Sequence, residues 1–175
     1  KQRKVIYGER DNVLKGVDLG ETIMQMARDT VIESVEKYID VKPRNYFKYF
    51  KSLYSAFMPD GTLLMPDIAN MTRDEVIDNT MEIVKRVYEL KMMMVPDYEL
   101  AQQEKDILLE VVDTYWVDHI DLMDQMRQSV GLVSVAQKDP VKEYTIEGYK
   151  MFESLNRKIR RETLKFVFTF DEEDE

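Results

Sequence analysis

The 175-residue sequence contains no cysteine, which excludes disulfides and any thiolate-based zinc site. It has one histidine, His119. A single imidazole without cysteine cannot build a zinc centre, and no serine-histidine-aspartate set is suggested by spacing. Glycine (6) and proline (5) are scarce, so the chain has few turn-formers. With abundant Met, Leu, Glu and Lys, that favours an all-α fold. No uninterrupted apolar run reaches the roughly 18 residues of a membrane-spanning candidate, and no signal peptide is visible. The G-x-x-x-x-G-K-[ST], G-x-S-x-G and H-E-x-x-H patterns are all missing. The chain therefore shows no phosphate-cradling loop, nucleophile elbow or metalloprotease helix. A formal net charge of −9 argues against a nucleic-acid-binding domain, which is usually basic. The acidic run Asp171 to Glu175 supplies −5 of it, leaving −4 for the body.

What is present is helical periodicity. Hydrophobic residues make up 44 %, enough for a sizeable core in one or two domains. The dominant stretch runs from about Tyr98 to Phe168. Leu108, Val112, Tyr115, Trp116, His119, Ile120, Met123, Met126 and Val130 share one helical face. Tyr144, Phe152, Leu155, Ile159 and Phe166, with Gly148, share another. The short connection Gly131 to Pro140 makes the two helices antiparallel neighbours, a long helical hairpin with arms of about 45 Å. Gly148 costs about 1 kcal/mol against Ala in a helix interior, so its place on the stripe points to a close helix crossing. His119, beside Trp116 and Met123, reads as a packed, hydrogen-bonded histidine rather than a ligand or base.

Upstream, Lys1 to Lys15 reads as a helix with Gly16 as its C′ residue. Asp18 to Glu21 has capping-box spacing, and the helix it opens carries Ile23, Ala27, Val31, Val35 and Tyr38 on one face. Pro43 marks its end and a candidate domain boundary. Asn45 to Phe57 is a short amphipathic helix with Tyr46, Phe50, Leu53 and Phe57 on one side. Met58 to Gly61 is a turn and Pro66 to Asn70 a loop. Thr72 to Glu75 has capping-box spacing again, before a helix with Val76, Ile77, Ile83, Val84, Val87 and Tyr88. Met92, Met93 and Met94 near its end could form an adaptable binding surface; core filling or an exposed helix end is the plainer reading. Asp118, Asp121 and Asp124 could gather a hard cation, but a three-residue step drifts around the helix and no loop supplies carbonyls, so a solvated edge fits better. Arg157, Lys158, Arg160 and Arg161 read as a polar helix face.

These residues carry a resemblance. The stretch Trp116 to Gln128 resembles the W-x-x-H-x-x-x-M-D-x-x-R-Q run of SecA, the bacterial preprotein translocase motor. Ala136-Gln137-Lys138-Asp139-Pro140, Glu143-Tyr144, Glu147 and Met151-Phe152 resemble the A-Q-x-D-P-x-x-E-Y-x-x-E-x-x-x-M-F run that follows it. Lys1 to Arg10 is similar to the family's K-Q-R-x-x-I-Y-x-x-R. The match runs end to end, more loosely over Lys42 to Pro96.

The resemblance implies an all-α fold in which residues 1–37 and 97–168 form a helical scaffold domain with a two-helix finger. Residues 38–96 would be a helical wing and 169–175 an acidic tail. It implies the C-terminal helical region of an ATP-driven translocase that couples ATPase motion to preprotein movement through the SecY channel. Expected partners are that channel, the translocating preprotein and the parent's own motor domains, with a homodimer compatible and no nucleic acid. ATP and Mg would belong to motor domains outside this sequence, which reads as a fragment of a longer protein with no catalytic, cofactor or metal residue of its own. The expected location is cytoplasmic, peripherally on the inner face of the bacterial membrane. Leu132, Val133, Ser134, Val135, Ala136, Gln137 and Lys138 would be the finger tip that meets channel or substrate. Trp116, His119, Met123, Tyr144, Gly148 and Phe152 would pack the finger on the scaffold. Where the family often has G-I-H-L-R-[GA]-Y-A-Q, this chain has Gly131 for His, Val133 for Arg and Val135 for Tyr. A tip without that charge and that aromatic points to an accessory SecA paralogue rather than the housekeeping motor. A plain helical scaffold or dimerisation module with no motor is the rival reading.

Overall fold

In the computed structural model, residues 1–15, 19–57, 67–133 and 139–169 are described, without the side chains of residues 9, 13, 14, 130, 132 and 133. Among them are six helices and no strand: α1 (Gln2–Leu14), α2 (Leu19–Tyr38), α3 (Tyr46–Phe57), α4 (Arg73–Met94), α5 (Asp97–Val133) and α6 (Pro140–Phe168). The expected Gly16 C′ position, the Asp18 cap, the Met58 to Gly61 turn and the acidic run lie outside the described residues.

Local chemistry accounts for the helix ends. Thr72 Oγ1 accepts from the Glu75 amide at 3.3 Å, and the Glu75 carboxylate accepts from the Thr72 amide at 3.2 Å. This reciprocal pair satisfies two donors that the first turn of α4 would otherwise leave open. Pro96 ends the helix, because the preceding Val95 takes extended backbone (φ −125, ψ 134). α5 then opens with Asp97 and Glu99 in its first turn, where negative charge suits the positive end of the helix dipole. Asp139 caps α6 by accepting from the amides of Val141 (3.1 Å) and Lys142 (3.3 Å). Pro140 occupies the first turn, where its missing N–H costs nothing.

Packing gathers the apolar faces into two cores. In one, Ile23, Ala27, Val31 and Val35 of α2 meet Tyr49, Leu53 and Phe57 of α3, Val76 and Val84 of α4, and Leu164, Val167 and Phe168 at the end of α6. In the other, Ile6 of α1 and Leu19 meet Leu108, Val111, Val112 and Trp116 of α5 and Leu155 and Ile159 of α6. Met26 and Ile107 touch both. α5 and α6 share the broadest helix–helix interface. At about 1.5 Å per residue, the 37 residues of α5 extend about 55 Å and the 29 of α6 about 43 Å.

Three sequence expectations are corrected. The connection does not begin at Gly131: α5 continues through it to Val133, since one helical glycine costs only about 1 kcal/mol and the residues beside it tolerate helix. Phe166 is not on the buried stripe but 52 % exposed, and Thr163, Leu164, Val167 and Phe168 are buried instead. The inner face rotates there because the neighbours of α6 change from α5 to α3 and α4. Tyr46 and Phe50 are half-buried, and the centre of the α3 face is Tyr49, fully enclosed with its hydroxyl 2.6 Å from Thr80 Oγ1. Burial pushes the Tyr49 phenol up to about 12. Of the two plainer readings of Met92, Met93 and Met94, the exposed helix end is the one that holds.

Candidate functional site

The base of the hairpin is a junction of three helices. Trp116 and His119 sit one turn apart on α5, as their spacing dictates, with ring centroids 5.5 Å apart. Phe152 of α6 approaches the imidazole from across the seam at 6.1 Å. Tyr7 of α1 meets Trp116 edge-on at 6.2 Å. Trp116 and His119 are both buried. The indole Nε1–H finds no hydrogen-bond partner among the described residues, and Trp116 is held there by packing and by its ring contacts with Tyr7 and His119.

His119 is held differently. Its Nε2 lies 2.8 Å from the side-chain oxygen of Gln2. The other end of the same amide donates to the carbonyl oxygen of Gly148 at 3.1 Å. Because the amide nitrogen is committed to Gly148, the oxygen faces the imidazole, and Nε2 carries the proton. The His119 pKa is lowered from its ordinary value, first by burial and then by the nearby Lys158 ammonium. The side chain is therefore a neutral donor, not a base poised for chemistry.

Gly148 explains the close approach. A Cβ there would stand 3.3 Å from the Met123 methyl and 3.8 Å from both Met126 and the Gln2 amide nitrogen. The arms come together at that point because nothing projects from α6. Further along α1, Arg10 grips Asp113 of α5 through two bonds of 3.0 and 3.2 Å.

Of the packing residues read from sequence, Trp116, His119, Met123, Gly148 and Phe152 meet at this junction. Tyr144 lies one turn nearer the tip, half-buried. Leu132 and Val133 fall in the last turn of α5, with their side chains outside the description, and Ser134, Val135, Ala136, Gln137 and Lys138 are outside it entirely. Gln2 was missed as a junction residue. The K-Q-R run contains it, but periodicity carries no signal for a polar side chain bridging partners 117 and 146 residues away. Asp118, Asp121 and Asp124 are exposed, and among the described residues no group of three acidic or imidazole side chains could hold a metal. Arg160 pairs with Glu33 of α2, while Arg157, Lys158 and Arg161 face solvent.

Two long helices packed along each other, tied to α1 and continuing through α6 into a second helical core, are the architecture of an all-α helical domain. The family model for the SecA wing and scaffold domain matches residues 1–171, and the chain belongs to that family. It is 51 % identical over 170 residues to protein translocase subunit SecA 2 of Clostridioides difficile, covering 97 % of this chain and 22 % of that protein. It is 38 % identical over 168 residues to SecA 1 of the same organism, covering 96 % and 19 %. With SecA of Finegoldia magna it shares 37 % over 169 residues, covering 95 % and 19 %. The chain thus spans about a fifth of the length of the curated relatives it matches.

Proposed function

We propose that this chain is the force-transmitting helical region of a SecA-type translocase. In this reading, ATP and Mg are bound and turned over by motor domains elsewhere in the parent protein. The α5/α6 hairpin carries the resulting motion to a preprotein at the mouth of a SecY-type channel, on the inner face of the bacterial membrane. No described helix is long and apolar enough to cross a membrane, so contact with it would be peripheral. The carrying observation is the hairpin itself: α5 and α6, about 55 and 43 Å long, are pinned partway along by the Gln2, Trp116, His119 and Gly148 junction, and residues 120–133 of α5 and 140–147 of α6 run on beyond it to the connection.

The tip residues Leu132, Val133, Ser134, Val135, Ala136, Gln137 and Lys138 are the proposed contact. Small β-branched side chains offer less area per contact than an aromatic, so this tip would grip a sliding polypeptide weakly. Together with the 51 % identity to a SecA 2 against 38 % to a SecA 1, that composition favours an accessory translocase serving few substrates.

The test is site-specific crosslinking during export. The chain has no cysteine, so Val135→Cys introduces a unique thiol within it, and the exposed Asp121→Cys serves as the control. A crosslink from position 135 to the channel subunit or a stalled preprotein is expected. Its absence, with position 121 reacting normally toward a soluble thiol reagent, would remove the tip contact from the mechanism.

A further inference from the structure

We infer that Gln2 is a positioning residue that sets the register of the two hairpin arms against the scaffold, and hence where the tip points. Its amide alone joins three helices: Nε2 donates to the Gly148 carbonyl oxygen on α6 at 3.1 Å, and Oε1 accepts from His119 Nε2 on α5 at 2.8 Å. The other polar and ring contacts of α1 among the described side chains, Tyr7 on Trp116 and Arg10 on Asp113, go to α5 alone.

The physical argument is one of tolerance. The seam between the arms at this level is Met123, Met126 and Phe152, and thioether side chains repack readily when helices slide. Such a seam holds the arms together without fixing their register. A hydrogen bond does fix it. Sliding one helix by a single residue moves its groups about 1.5 Å, and a bond of normal length does not survive that displacement. Both ends of the Gln2 amide are satisfied in only one arrangement of α1, α5 and α6. Gly148 is part of the device, because its carbonyl oxygen accepts the amide and its bare Cα lets the Met123 methyl of α5 pack close beside that bond. His119 is the other part, because burial keeps it neutral and its Nε2–H bond to Gln2 is partly sheltered from water.

The inference rests on the reading of the hairpin as a moving lever, and its test separates the two. In the full-length translocase, spin labels at Gly131→Cys, near the tip where added atoms meet open space, and at the exposed Lys85→Cys on α4 report the tip position as a distance distribution. Gln2→Met keeps length and volume but loses both bonds. Gln2→Glu keeps an acceptor for His119 and loses the donor to Gly148. With Gln2 in place the distribution is expected to be narrow. Gln2→Met should broaden it at least twofold, Gln2→Glu should fall between, and the ATP consumed per preprotein moved should rise several-fold in the same order. A width graded by the number of bonds kept, two in the parent protein, one in Gln2→Glu and none in Gln2→Met, is a readout that a merely stabilising side chain would not give. Coincident distributions for the parent protein and both variants would overturn the inference. Broadened distributions with an unchanged ATP cost would uphold Gln2 as the positioning residue and overturn the lever reading instead.

Discussion

His119 shows how one side chain can be tied to both fold and solution conditions. It is 4 % exposed, and burial followed by Lys158 lowers its pKa from the ordinary value near 6.5. Above that value the imidazole is neutral in both the folded and unfolded chain and contributes no pH dependence. As pH falls below it, the unfolded chain takes up a proton that the folded chain resists. Stability is therefore lost progressively down to the folded-state pKa, with no further loss from this group below it. His119 is the chain's only histidine, so the effect is assignable. Denaturation followed between about pH 6.5 and 5, where carboxylates contribute little, should show falling stability in the natural chain and a flatter profile in His119→Gln. An NMR titration of the imidazole at or above its ordinary value would contradict this account.

At the scale of the element, Gly148 decides how closely α5 and α6 approach. An alanine there gains about 1 kcal/mol of helix propensity. Its Cβ would meet the Met123 methyl at 3.3 Å, the end of a side chain that can swing aside. The two effects nearly offset, and Gly148→Ala should leave stability within about 1 kcal/mol of the natural chain. Gly148→Leu has no such escape, since a branched side chain would have to displace Met123, Met126 and Gln2 together; overpacking of this kind costs about 1–3 kcal/mol. Chemical denaturation of the two variants checks both values. A leucine tolerated as well as alanine would mean that the helices are not in close contact at this level.

At the scale of the whole molecule, α6 belongs to both cores. Leu155 and Ile159 pack against α5, and Leu164, Val167 and Phe168 pack against α3 and α4. Phe168 meets Phe57 edge-on at 5.2 Å and Tyr88 at 6.1 Å. One continuous helix therefore links the hairpin junction to the α2–α3–α4 core. Phe168→Ala should cost about 3–5 kcal/mol. Phe166→Ala, two residues earlier on an exposed side chain, should stay within about 0.5 kcal/mol. Thermal unfolding of the pair reads the difference, and equal losses would mean that the face assignment at the end of α6 is wrong.

The sequence alone determined what depends on near neighbours. The all-α class, the Thr72 box, the Asp139-Pro140 start, the stop before Pro96 and the buried stripe of α2 each follow from residues within a few positions of one another. Backbone hydrogen bonding and side-chain periodicity are local in a helix. Tertiary structure decided what depends on which helix stands opposite. Phe166 and Val167 are equally apolar, and only the change of neighbour from α5 to α3 and α4 turns one outward and the other inward. Tyr49 displaces Tyr46 and Phe50 from the centre of the α3 face because α4 brings Thr80 within reach of its hydroxyl. Gln2 becomes a junction residue only because folding brings His119 and Gly148 to either end of one amide. A polar side chain on an amphipathic helix is solvated by default, and only a partner from distant sequence gives it a fixed position.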